Sequence, residues 1–347
     1  MHDFNQKPRF LINRNDNIGD LVLTIPTIGL LKREFPDATI DLLAKSYVKP
    51  IADCCPWIDN FINWNDLQAL PPKQAAAQLA AQKYTAFLNI FAHKQAAKLA
   101  NLAKIPVRIG TNRRYYHWLY CNKLINFSRK KSKLHEAQLN TMLLQGLNIT
   151  APRSIEALIP LLKIAPKPDK TVTNLLNPHK FTLVMHPGSN GNGREWPITH
   201  YKKLSELLDA DKYQILVTGS DKESYISSAL CTNESPHIHD LVGKLTLDQL
   251  LYLLQQVDGL IASGTGPMHL AAALNTNTLG LFPPLQSAGP TRWRPIGTNA
   301  NFLLGKNKCS EKNCSNKNCS CMQAIKPIEV SSVIENWRKQ GSKNYAN

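Results

Sequence analysis

The feature that most restricts this chain is a repeated alternation. A short apolar run leads into a polar turn, and then into apolar residues at helical spacing. The series begins again after a proline-bearing break. In the first half the apolar runs are Phe10–Asn13, Thr39–Ala44, Ala86–Ile90 and Pro106–Gly110. Helical patterns fall at Leu21–Leu31, Gln74–Gln82 and Leu134–Gln145. The segment IAPKPDKTVTNLLNPHK, Ile164–Lys180, holds three prolines and little periodicity, and reads as a linker. Beyond it, runs at Phe181–Met185, Tyr213–Thr218, Gly259–Ala262 and Thr278–Phe282 alternate with helical patterns near Thr199–Ala210, Leu247–Gln256, Met268–Leu274 and Pro327–Gln340. Apolar runs of this kind suit strands covered on both faces, and βα alternation predicts parallel, doubly wound sheets with right-handed crossovers. At about 150 residues per domain, 347 residues make two. Two such domains favour a ligand held beyond the carboxyl ends of their strands, in a cleft facing both.

Three segments carry candidate chemistry. In DGLIASGTGPMHLAAAL a buried strand enters Gly264, Thr265 and Gly266, and a helix opens at Pro267. Proline suits a first helical turn, glycines let amides approach a ligand, and the helix start carries partial positive charge. That is a phosphate site, with the Thr265 hydroxyl as an added donor. His269, in the first turn, either meets the ligand or fixes the loop. In HPGSNGNGREWP, four Gly/Asn residues in a row make a polar loop whose one cation, Arg194, is suited to close on a diphosphate; a surface excursion anchored by Trp196 is the plainer alternative. In Asn17-Ile18-Gly19-Asp20, Asp20 begins a helix after the first strand. A carboxylate there is either a helix cap or a base that takes a proton from a sugar hydroxyl.

Charge is unevenly placed. The net charge is +16, and between Leu67 and His135 there are 13 Lys and Arg but no Asp or Glu. Such a stretch attracts polyanions: nucleic acid, anionic head groups or a phosphorylated glycolipid. A solvated surface without a partner is the alternative. No zinc finger, RNP pattern or helix-turn-helix supports nucleic acid, which is not expected as a partner. No apolar run reaches the roughly 18 residues that span a bilayer, and the amino-terminal segment lacks a signal-peptide core, so a cytoplasmic protein is expected. Eight cysteines do not make a disulfide framework there. Cys309, Cys314, Cys319 and Cys321 are spaced C-x4-C-x4-C-x-C, which is not a zinc spacing, and read as thiols of a loop.

Taken together and in order, these segments resemble glycosyltransferase family 9, the bacterial lipopolysaccharide heptosyltransferases. The pieces are GDLVLTIPTIGLLKREFPDATIDLL, RIGTNRR, HEAQLNTMLLQGL, MHPGSNGNGREWPITHYKKLSELL, GTGPMHLAAALNTNTLGLFPP and PTRWRP. The resemblance implies an α/β GT-B fold of two Rossmann-like domains: residues 1–168 for the acceptor, 169–325 for the nucleotide sugar, and a closing helix in 326–347 that crosses back to the first domain. It implies an inverting transfer of heptose from ADP-heptose to a lipopolysaccharide core or related glycolipid, with no cofactor and no essential metal. Another nucleotide sugar, or a binding protein without catalysis, are the alternatives. Asp20 matches the family's base and Arg194 its diphosphate contact, and Ser189 falls where loop hydroxyls meet phosphate. Glu223 matches the ribose-binding acid, and Leu245 the residue lining the adenine site. The family often has Asp before Thr-Gly in the phosphate turn, where this chain has Gly264. Arg113, Arg114, Lys130 and Lys131 are expected to dock the anionic acceptor or the cytoplasmic face of the inner membrane. A monomer is expected.

Overall fold

The computed structural model describes residues 7–189, 191, 193–232, 235–306 and 319–341. The chain divides into two compact units, 1–165 and 166–347.

The first unit is built on six parallel strands: β1 (Arg9–Asn13), β2 (Thr39–Ala44), β3 (Asn60–Asn63), β4 (Ala86–Asn89), β5 (Val107–Thr111) and β6 (Lys123–Ile125). Their order is β3-β2-β1-β4-β5-β6. The four inner strands are almost wholly buried, as a sheet covered by helices requires. The one buried charge on β2, Asp41, is fully answered. Its carboxylate accepts from Arg9 Nη2 at 2.7 Å, Tyr84 Oη at 2.6 Å and Asn60 Nδ2 at 2.9 Å. The second unit repeats the plan with β7 (Phe181–His186), β8 (Tyr213–Gly219), β9 (Ile238–Val242), β10 (Gly259–Ser263), β11 (Asn277–Phe282) and β12 (Ala300–Leu304), in the order β12-β11-β10-β7-β8-β9. Both are the Rossmann strand order, and each reverses direction at one place: between β1 and β4, and between β7 and β10.

One expectation about a helix needs correction. The single helix expected over Leu21–Leu31 is two, Ile18–Val22 and Ile25–Glu34, divided at Leu23–Thr24. Pro26 restricts the break: it has no N–H to continue the first helix, yet it suits the first turn of the second. The closing helix, Pro327–Gln340, lays its buried face into the second unit's core. Ile334 and Trp337 pack there, Tyr213 Oη donates to Glu335 at 2.7 Å, and Gly259 lies so close to Trp337 that a Cβ would sit 3.0 Å from its ring. Cys319 and Cys321 are buried in the same core, while Cys309 and Cys314 lie outside the described residues.

Candidate functional site

In the first unit the site forms on the turn after β1. Ligands of open α/β sheets sit at the carboxyl ends of the strands where the order reverses, and the turn 14–17 occupies that position. Asp20 is the third residue of the helix Ile18–Val22, and Asn17 stands in the cap position, so Asp20 is not the cap. Its carboxylate pairs with Arg14 Nη2 and its side chain is 17% exposed. Arg14 itself is buried, 3.0 Å from Asp16 Oδ1 through Nε and 3.8 Å from Glu136 Oε1 through Nη2. Burial alone would lower the Arg14 pKa, but Asp16, Asp20 and Glu136 together raise it, so the guanidinium stays charged. Asp16 shows the opposite balance. Burial lifts its carboxyl to about 7 despite Arg14, and Asp20 and Glu136 add to the rise. Tyr47 donates to the Asp16 carbonyl at 2.5 Å. Asn15, next in line, is buried with both side-chain polar atoms lacking a hydrogen-bond partner.

A distant helix holds this turn. In Glu136–Thr141, Glu136 and Asn140 lie one turn apart on the same face. Glu136 pairs with Arg129 and faces Arg14. Asn140 Nδ2 donates to Leu23 O at 3.0 Å and Thr24 Oγ1 at 3.3 Å, satisfying the break between the two helices. Thr24 in turn donates to Asp20 O at 2.8 Å. Sequence reasoning found Asp20 but missed Arg14, Asp16, Glu136 and Asn140. The available signal was slight: Glu136 and Asn140 stand at helical spacing in HEAQLN, among other polar residues.

The basic stretch is divided in use. Arg129 belongs to the interior network: it donates to Ile90 O at 3.1 Å and Asn140 Oδ1 at 3.0 Å, besides pairing with Glu136. Arg113, Arg114, Lys130 and Lys131 are exposed. Arg113 and Arg114 follow β5 and the lysines follow β6, so they lie at the same end of the sheet as Asp20. β5 is two strands from β1, roughly 10 Å at ordinary strand spacing.

In the second unit the loop after β7 lies against the turn after β10, again where the strand order reverses. Gly193 packs so close that a Cβ would meet Gly264 O at 2.8 Å, and Trp196 N donates to Ser263 Oγ at 2.9 Å. The buried Trp196 also donates to Ile325 O at 3.0 Å, anchoring the end of the loop in the core. Gly264, Thr265 and Gly266 are half-buried, and Thr265 is the cap of the helix Gly266–Ala273 without a side-chain capping bond. His269 is buried one turn in. Arg194 is half-exposed, and its Nε is buried without a hydrogen-bond partner. Arg194 follows directly on Gly193, which packs on Gly264, and an unsatisfied guanidinium nitrogen suits an anion.

Two of the expected ligand contacts are occupied within the protein. Ser189 Oγ donates to Glu195 Oε1 at 2.9 Å, and its N–H donates to the same oxygen at 3.0 Å. Ser189 therefore shapes the loop, through a Glu195 that the sequence did not single out. Glu223 Oε2 accepts from Ser220 N and Oγ, both at 2.8 Å, and closes the turn after β8. Its other oxygen lies beneath Gly188, where a Cβ would come within 2.0 Å. His186 shares that corner: its Nδ1 is 2.9 Å from Thr218 Oγ1, and burial holds its pKa down at about 4, with Glu223 opposing. Leu245 is half-buried in the turn between β9 and the helix Leu247–Gln256. Among the described residues no three His, Cys, Asp or Glu side chains are grouped to hold a metal ion, and no helix is long and apolar enough to cross a membrane.

Two Rossmann-type units in sequence are the GT-B class of fold, with Asp20 and Arg14 at the switch point of the first and the Gly264–Gly266 turn at that of the second. The family model of glycosyltransferase family 9 (heptosyltransferase) matches residues 74–323, and the chain belongs to that family. Among curated relatives, a putative glycosyltransferase of Haemophilus influenzae is 26% identical over 302 residues, covering 83% of this chain and 86% of the relative. Lipopolysaccharide heptosyltransferase 3 of Escherichia coli is 26% identical over 301 residues, covering 81% and 84%. Among solved structures, E. coli ADP-heptose lps heptosyltransferase II superposes with a TM-score of 0.77 at 20% identity, covering 96% of this chain and 99% of that one. E. coli heptosyltransferase WaaC with ADP gives 0.71 at 18%, covering 95% and 99%. At these identities the structural likeness establishes the fold.

Proposed function

We propose that the protein is an inverting transferase that moves heptose from ADP-heptose onto a lipopolysaccharide core or related glycolipid, at the cytoplasmic face of the inner membrane. The observation that carries the reading is the Asp20–Arg14 pair at the β1 switch point: a partly exposed carboxylate held by a buried cation. Asp20 takes the proton of the acceptor hydroxyl as its oxygen attacks the anomeric carbon. The bond to the nucleotide breaks on the opposite face, so the configuration inverts. Such base catalysis contributes about 10²–10⁴-fold. Gly264, Thr265, Gly266 and Arg194 stabilise the departing diphosphate through amides, a hydroxyl and a guanidinium. With glycine at 264 no carboxylate competes there, and the charge of the leaving group falls to Arg194 and the helix start without a metal. Leu245 lines the base of the nucleotide. Glu223 acts on the ribose through the turn it closes. Arg113, Arg114, Lys130 and Lys131 receive the anionic acceptor. The names of the relatives, heptosyltransferases acting in lipopolysaccharide assembly, support the choice of sugar and acceptor.

The test is a donor panel of ADP-heptose, ADP-glucose, UDP-glucose and GDP-mannose with heptose-deficient lipopolysaccharide. ADP-heptose alone should release ADP and give a product of inverted anomeric configuration. Turnover with another donor and none with ADP-heptose would overturn the assignment.

A further inference from the structure

The helix Tyr115–Tyr120, of sequence YYHWLY, buries Tyr116 and His117, half-buries Tyr120 against the same cluster as Tyr116, and exposes Tyr115, Trp118 and Leu119. Tyr115 is 68% exposed, Trp118 65% and Leu119 64%, the three most exposed large apolar side chains among the described residues. They stand at i, i+3 and i+4, so they form one face. Single exposed apolar residues need no explanation, but an aromatic and aliphatic face at helical spacing does. The face is held firmly. His117 Nδ1 lies 2.8 Å from Thr111 O and its Nε2 lies 3.0 Å from Asn89 Nδ2, which fixes the buried side of the helix. Trp118 Nε1 donates to Asn112 O at 3.2 Å, which leaves the indole body outward. Cations surround it: Arg113 and Arg114 precede it, and Lys94 stands 5.6 Å over the Tyr115 ring. Lys98 is exposed on the helix Lys94–Leu102, which packs beside it. No acidic residue occurs within this whole stretch of sequence.

We propose that this face inserts into the head-group region of an anionic phospholipid bilayer. Tyr and Trp prefer the membrane–water boundary, where a polar tip meets water and the ring meets lipid. Basic side chains around an apolar face add attraction to anionic lipid. The helix also begins after β5, at the end of the sheet that carries Asp20, so insertion brings that end of the first unit to where a lipid-anchored substrate emerges. The purpose of the wedge rests on the glycolipid reading above; its existence is tested separately.

Sedimentation with vesicles of about three parts phosphatidylethanolamine to one part phosphatidylglycerol is the direct test, using the full chain and a Tyr115→Ala/Trp118→Ala/Leu119→Ala variant. The wild type should bind, and the variant should bind about tenfold or more weakly while melting at the same temperature. Brominated lipid should quench tryptophan fluorescence in the wild type and much less in Trp118→Phe. Transfer to a soluble core oligosaccharide should be unchanged in the triple variant, whereas transfer to acceptor embedded in vesicles should fall. Salt-sensitive binding equal in wild type and variant would sink the wedge and leave the glycolipid reading intact. Equal loss with the soluble acceptor would place these side chains on the sugar and overturn the proposal. So would a dimer that the triple variant dissolves.

Discussion

Arg14→Leu is the sharpest probe of the first unit. Arg14 is 3% exposed and faces Asp16, Asp20 and Glu136, whose side chains are 13%, 17% and 2% exposed. Glu136 keeps Arg129 in the variant, so Asp16 and Asp20 are the carboxylates left uncompensated. Breaking a buried pair by removing one partner costs about 3–5 kcal/mol. For a unit of this size, each kcal/mol moves the melting temperature by about 2–4 °C, so a drop of roughly 6–20 °C is expected. The drop depends on pH, and its sign follows from the charges. Burial already lifts the Asp16 carboxyl against the opposing Arg14, so without Arg14 it is held higher still, and the folded state binds more protons than the unfolded chain as pH rises through that window. The deficit is therefore small at pH 5.5 and large at pH 8. Arg14→Lys, which keeps the charge and loses the planar fork, should fall between. Differential scanning calorimetry of the full chain at both pH values measures this, and ADP should still raise the transition of the second unit. A leucine variant melting within about 2 °C of wild type at both pH values would show that the carboxylates need no counter-charge, and would refute the reasoning.

The remaining predictions are shorter. Asp20→Asn should reduce kcat by about 10²–10⁴-fold with ADP affinity unchanged by calorimetry; near-normal turnover removes Asp20 from the role. Arg194→Ala should raise the donor KM and lower kcat, in steady-state assays with donor varied, because its guanidinium is assigned to the leaving diphosphate. Gly188→Ala should destabilise the second unit by about 1–3 kcal/mol, read in urea titration, since a Cβ meets the buried Glu223 carboxylate. Asp16→Asn should become more stable relative to wild type as pH rises from about 4 to about 7, because wild-type Asp16 favours its protonated form in the fold over that window. Thermal melts at pH 5 and pH 8 that show the same difference would contradict this.

The legibility of the fold follows from where each strand sits. The eight inner strands were readable as apolar runs, because helices cover both of their faces. The four missed strands, β3, β6, β9 and β12, are the four sheet edges. Their burial is broken, as in β12, where Asn301, Phe302 and Leu304 are exposed, and no continuous apolar run marks them. The helix Tyr115–Tyr120 was missed for a related reason, since its outward face is apolar where a surface helix is ordinarily polar. In the site, Asp20 and the Gly264–Gly266 turn were visible because glycine and a helix start leave a local signature. Glu136 was not, because its partners Arg14 and Arg129 are brought to it by the fold across long separations in the chain. Ser189 and Glu223 also bond within their own turns, to Glu195 and to Ser220, and the approach of Gly188 to Glu223 is made by the fold rather than by neighbouring sequence.

Each sheet completes its own hydrogen-bonding ladder without borrowing a strand, and the backbone passes from one unit to the next once, at Ala165–Pro166. The half bearing the carboxylate and the half bearing the glycine turn are thus contiguous cassettes. A single recombination at that junction trades one cassette and leaves every ladder whole, a design that chimaeric genes can follow in the laboratory.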